Sequence, residues 1–144
     1  MLEGPGVESN GEVSPDGHWL AYSANPTGRM EIYVAPFPSM KSTRPVSAGG
    51  GSEPRWAHSG KELFFKSGGK LMAVDVLPGE AFAFGTPRAL FPLTGFLAAR
   101  NRPQYDVAPD DRHFLMIRVP GASNEEVVYV ENWFSELRAK MEKK

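Results

Sequence analysis

The feature that most constrains this chain is an internal repeat. VSPDGHWLAY runs from Val13 to Tyr22, WAHSGKELFF from Trp56 to Phe65, and VAPDDRHFLM from Val107 to Met116. Gly60 follows Gly17 by 43 residues, and Asp111 follows Gly60 by 51. Self-similarity at about 40–50 residues is the period of a small supersecondary unit that buries its apolar surface only by stacking on its neighbours.

The local chemistry of each unit predicts a hairpin. In Ser14-Pro15-Asp16-Gly17, Pro15 presets φ at the first turn position and Gly17 supplies the positive φ of a type I turn followed by a bulge. Gly60 does the same in the second unit. The third puts Asp111 there, which enters the left-handed region at a cost, so this turn is expected to be the least comfortable. A third strand follows each hairpin, at Glu31–Ala35, Lys70–Val74 and Val127–Val130. Fourth, outer strands are expected at Arg44–Ala48 and Pro87–Phe91. The strands from Trp19, Leu63 and Phe114 are apolar in continuous runs rather than alternating, which predicts burial on both faces. Residues 132–143 read as a short helix, with Asn132 as cap and Trp133, Leu137 and Met141 on one stripe; the alternative for its N-terminal part is the third blade's outer strand.

Composition agrees with many short strands. Gly numbers 15 and Pro 13, and 41% of residues are hydrophobic against 23% charged, so the chain is globular and densely punctuated. A formal net charge of −1 leaves no basic excess for a nucleic-acid backbone. There is no cysteine, which removes disulfides, thiolate metal sites and a cysteine nucleophile. No stretch approaches the roughly 18 apolar residues of a membrane span, and no signal peptide is visible at the start. A soluble chain is expected, cytoplasmic by default.

These residues resemble a known group. The Ser14-Pro15-Asp16-Gly17 unit with its apolar strand is similar to the TolB-like, WD-repeat-like β-propellers. The order Glu31-Ile32-Tyr33-Val34, Gly50-Gly51, Pro54-Arg55-Trp56, Gly60-Lys61-Glu62-Leu63-Phe64, Leu71-Met72-Ala73-Val74 and Tyr105-Asp106-Val107-Ala108-Pro109-Asp110, closing on Asn132-Trp133, resembles more narrowly the C-terminal blades attached to some bacterial serine/threonine protein kinases. The resemblance implies an all-β fold, a partial β-propeller of three four-stranded antiparallel blades with a short C-terminal helix. In a single domain, blade 1 would cover about 8–48, blade 2 about 52–91, blade 3 about 104–131 and the helix about 132–143.

Catalytic signatures do not accumulate. No glycine-rich loop with a following strand lysine, His-Arg-Asp loop or Asp-Phe-Gly is present, so kinase chemistry is not expected. Gly49-Gly50-Gly51 lacks the lysine and helix of a phosphate loop and suits a crossing between blades. Ala57-His58-Ser59-Gly60 lacks the first glycine of a nucleophile elbow. His18, His58 and His113 fall at or beside the turns without metal-ligand spacing, and Asp16, Asp106, Asp110 and Asp111 are expected to bond turn backbone. No catalytic, cofactor or metal residues are therefore assigned. The connection Pro92–Gln104 is long for a compact domain. It carries Phe96, Arg100 and Arg102, with Tyr105 just beyond, a makeup found at interface hot spots, and these four are the candidate partner-binding residues.

The functional expectation is a non-catalytic binding or scaffold module. Propellers close into rings of about four to eight blades, and three blades would leave an apolar face on the first and on the third. A homodimer about a two-fold axis, making a six-bladed ring, is one completion; missing blades on another chain are the other. The competing class is a small hydrolase or lyase using Asp and His residues at the blade turns.

Overall fold

The computed structural model describes residues 8–79, 81–97 and 103–118, and the backbone of 126–131. Twelve strands form three antiparallel sheets among the described residues. The first sheet has the order β1 (Glu8–Val13), β2 (Trp19–Ala24), β3 (Glu31–Pro36), β4 (Arg44–Pro45). The second has β5 (Ser52–Trp56), β6 (Glu62–Ser67) and β7 (Lys70–Leu77), with two short strands, β8 (Ala83–Phe84) and β9 (Arg88–Pro92), both paired to β7. The third has β10 (Tyr105–Val107), β11 (His113–Arg118) and β12 (Glu126–Glu131). The fold is all-β, and each sheet is a consecutive up-and-down meander of the kind that builds a propeller blade.

The three hairpin turns use one hydrogen-bond pattern. Gly17 N donates to Ser14 O at 2.8 Å, Gly60 N to Ala57 O at 2.9 Å, and Asp111 N to Ala108 O at 2.9 Å. The residue leaving each turn is left-handed, with φ of 76° at Gly17, 69° at Gly60 and 57° at Asp111. The expected type I turn with a bulge is thus present in all three units, including the one without glycine.

Sheet composition departs from three uniform sets of four. In the second sheet the outer strand is broken in two, because Gly85-Thr86-Pro87 interrupts pairing; Gly85 N still donates to Asp75 O at 2.9 Å. The third sheet has three strands among the described residues, and the expected helix over 132–143 lies outside them.

The sheets stack face to face in chain order. Each sheet has a leading face, toward the next sheet in the chain, and a trailing face opposite it. Between the first and second sheets, Ala21, Ile32 and Val34 pack on Trp56, Leu63, Phe65 and Val74, with Phe82 closing the cluster at 5.2 Å from the Trp19 ring. Between the second and third, Phe64, Leu71 and Ala73 pack on Val107, Phe114 and Met116, and the Phe64 and Phe114 rings meet edge to face at 4.9 Å. The crossing from β4 to β5 is latched by a buried carboxylate. Glu31 accepts from the Ser47 hydroxyl at 2.5 Å, from Gly50 N at 3.0 Å and from Arg29 Nε at 2.9 Å.

One expectation fails on β11. Continuous apolar composition predicts burial on both faces for all three second strands, and β2 and β6 comply in their central residues. In β11, Phe114 and Met116 are buried while Leu115 between them is exposed. The reason is positional: no fourth sheet covers the leading face of the third among the described residues.

Candidate assembly interface

The repeat makes the two terminal faces directly comparable with the two internal ones. Register places Ala21 opposite Glu12, Phe64 opposite Arg55, and Leu115 opposite Asp106, so these three hydrophobic residues hold the same leading-face position. Ala21 and Phe64 are 0% exposed, whereas Leu115 is 47% exposed. On the trailing face, Val13, Trp56 and Val107 pair with Leu20, Leu63 and Phe114 and are likewise equivalent. Trp56 is 4% and Val107 5% exposed, but Val13 is 40% exposed. Each terminal sheet therefore shows water an apolar side chain that the repeat buries wherever a neighbour exists.

The trailing face of the first sheet is not bare throughout. Tyr22 and Ala35 are buried, the Tyr22 and Tyr33 rings stack at 5.9 Å, and the Tyr22 hydroxyl reaches Thr43 Oγ1 at 3.4 Å. The expectation of two broad open apolar faces is thereby narrowed to patches around Val13 with half-buried Leu20, and around Leu115 with half-buried Ile117.

The innermost strands of the three sheets carry a row of charge at a second repeat position. Glu12, Arg55 and Asp106 each lie five residues before the left-handed turn residue. Arg55 Nη1 sits 3.0 Å from Glu12 Oε2, and Arg55 Nε 4.0 Å from Asp106 Oδ1. The Trp56 indole also donates to Glu12 O at 3.0 Å. Burial pushes the Glu12 carboxyl up from its ordinary range, and the Arg55 guanidinium offsets that only in part. Asp106 ends the row with its side chain 72% exposed.

Beside this row the second and third sheets share a polar knot. β1 and β5 both slip register at a bulge, where Asn10 and Glu53 adopt φ of 55° and 53°. The bulge turns Glu53 inward, where its carboxylate lies 2.8 Å from Lys66 Nζ and accepts from Gln104 N at 2.8 Å. Tyr105 donates its hydroxyl to Glu53 O at 2.8 Å, and Lys66 Nζ lies 5.5 Å from the Tyr105 ring centroid. Burial, reinforced by the Glu53 charge, pushes the Tyr105 phenol well above its ordinary value.

Of the four residues singled out from sequence, Tyr105 belongs to this knot. It is buried with its hydroxyl committed, so it serves packing between sheets rather than an open binding surface. Phe96 is half-buried against the same apolar cluster, and its backbone bridges to Arg118. Arg100 and Arg102 lie outside the described residues. Leu115, Val13 and the Glu12–Arg55–Asp106 row escape sequence reasoning, although extending the repeat alignment five residues upstream of each turn brings the charged row into register.

The histidines stay at the turns. His18 Nδ1 is 3.4 Å from Asp16, His58 Nδ1 3.4 Å from Asp111, and His113 Nδ1 2.5 Å from Asp110. The aspartates also accept backbone N–H groups: Asp16 from His18, Asp110 from Arg112, and Asp111 from His58 and Ser59. No group of three or more His, Cys, Asp or Glu residues with metal-binding geometry occurs among the described residues. No helix there is long and apolar enough to cross a membrane.

No protein-family model and no curated protein matches the sequence. Solved structures do match the fold. TolB from Acinetobacter baumannii is 20% identical with a TM-score of 0.60, over 85% of this chain and 29% of that one. An oligogalacturonate lyase in complex with manganese is 15% identical with a TM-score of 0.61, over 92% of this chain and 36% of that one. A prolyl endopeptidase is 14% identical with a TM-score of 0.55, over 91% and 21% respectively. All three are β-propeller folds, and this chain spans only 21% to 36% of their lengths. The likeness shows the β-propeller fold and nothing about chemistry.

Proposed function

We propose that this chain is a non-catalytic binding module, three blades of a β-propeller that complete a six-bladed ring by self-association of two copies. The observation that carries the reading is Leu115, 47% exposed at a position where Ala21 and Phe64 are both 0% exposed. Both apolar clusters between sheets within the chain join a leading face to a trailing face. One of each is left over, around Leu115 and around Val13, and a second copy brings the matching pair. Two-fold closure then uses both seams, and six blades fall within the range that rings adopt. The resemblance to blades borne by bacterial kinases is compatible with a recognition role. Arg100 and Arg102 stay candidates for partner contact by residue type alone.

A hydrolase or lyase reading draws on the His58–Asp111 and His113–Asp110 pairs at adjacent turns. It is the weaker reading, because those carboxylates already hold backbone N–H groups and are poorly disposed to act as bases.

Static light scattering at micromolar concentration tests the assembly. The expected mass is twice the 15.8 kDa of the chain, and Leu115→Asp is expected to return a single chain that keeps its far-ultraviolet circular dichroism spectrum. A wild-type protein that scatters as one chain across that range would overturn self-association and leave blades on another polypeptide as the completion.

A further inference from the structure

The inner-strand charge row extends the assembly reading to the chemistry of its seams, and that chemistry rests on the two-copy ring. Within the chain the row alternates in sign: Glu12, then Arg55, then Asp106, one residue per blade. Arg55 reaches the equivalent residues of both neighbouring blades, Glu12 before it and Asp106 after it. In a ring of two copies the residue following Asp106 is Glu12 of the second copy, so alternation breaks at both seams.

We propose that each seam of the two-copy ring sets the Asp106 carboxylate of one copy against the Glu12 carboxylate of the other, making ring closure acid-favoured. The charged surroundings of the two acids do not remove the conflict. Arg55 on β5 lies between Glu12 on β1 and Asp106 on β10 within one copy, so one cation serves two anions. Lys66 on β6 is already paired with Glu53 on β5. On the leading face of the third sheet, His113 on β11 is held by Asp110, and Leu115 opposite Asp106 carries no charge. Each copy therefore brings a surplus negative charge to the row, and two carboxylates brought close across a seam repel unless one takes a proton.

The sign comes from linkage. Bringing the two acids together makes the assembled state hold a proton more tightly than the separate copies, so assembly gains as pH falls. Glu12, already pushed up by burial, is the member poised to take that proton. Other acids of the fold behave in the opposite way. At Glu31 and Asp111 burial is outweighed by hydrogen bonds, and at Asp16 and Asp110 hydrogen bonds dominate from the start. All four carboxyls are held below their ordinary values and keep their charge further into the acid range. The fold should thus persist through the interval in which the seams tighten.

Sedimentation velocity of the wild-type chain and of Asp106→Asn, between about pH 7.5 and about pH 5, tests this. A chelator in the buffer keeps divalent cations from bridging the acids. The wild-type dissociation constant is expected to fall on the order of tenfold toward the acid end. Asp106→Asn should associate about tenfold more tightly than wild type at the neutral end and lose most of the pH dependence. Association of equal strength in both proteins and at both pH values would overturn the seam conflict while leaving the ring standing. If neither protein associates at any pH, the ring itself fails, and the seam with it.

Discussion

At the scale of single residues, Asp111 shows how a locally unfavourable choice is offset across the fold. The sequence marks its turn as the uncomfortable one, since the equivalent positions carry glycine. The structure places it at φ 57°, and its carboxylate accepts from His58 N at 2.5 Å and Ser59 N at 2.9 Å. Those donors belong to the preceding hairpin turn, more than fifty residues back along the chain, so no local reading could find them. Two substitutions separate the effects. Asp111→Ala keeps the left-handed cost and loses both charge-assisted bonds, and should destabilise by about 2 kcal/mol. Asp111→Gly loses the same bonds but relieves the backbone, and should cost about 1 kcal/mol less than the alanine. Urea unfolding of the two variants measures the difference. Equal losses would mean that the left-handed φ carries no cost here.

Elements are legible where periodicity and turn residues agree, and illegible where a strand is bent by something other than glycine or proline. The three hairpins and three third strands follow from the turn residues Pro15-Asp16-Gly17, Ser59-Gly60 and Pro109-Asp110-Asp111 and from short apolar runs. Of the two bulges, the one in β1 carries Asn10-Gly11, a pair that favours left-handed backbone, but the one in β5 carries Glu53, a residue type that signals no break. The β5 bulge is nonetheless what turns Glu53 into the seam between the second and third sheets. Gly49-Gly50-Gly51 reads as a crossing from its composition, but the reason for its last glycine is a matter of packing. A Cβ on Gly51 would lie 2.7 Å from both Ile32 Cγ1 and Ser47 Oγ, the hydroxyl that bridges Ile32 N and the Glu31 carboxylate. Gly51→Ala should therefore push Ser47 off Glu31 and cost about 1–3 kcal/mol, the range of overpacking in a close-fitted site. Thermal unfolding followed by near-ultraviolet circular dichroism checks it, and an unchanged midpoint would show that the crossing can yield without losing its latch.

For the whole molecule, the decisive feature is a mismatch between internal and terminal faces, and it is visible only when the repeat and the burial are laid together. The sequence predicts an open apolar face on the first and on the third blade, but it does not single out Val13 and Leu115 as the residues those faces show to water. Assembly makes that difference measurable as stability. A protein whose native state gains from association has a melting temperature that rises with concentration by mass action, whereas a lone chain does not. The wild-type melting temperature is accordingly expected to climb over a hundredfold increase in concentration. Leu115→Asp should melt at one temperature throughout and close to the dilute wild type, because a polar group at an open surface position changes the stability of a single chain by only about 0.5 kcal/mol. The same substitution at Phe64, sealed between the second and third sheets, should instead unfold the chain at every concentration, since an aspartate there would be buried without a partner. Equivalent residues in one repeat would then answer the same change in opposite ways. If Leu115→Asp also collapsed the dilute chain, the leucine would be part of a core already closed within one copy.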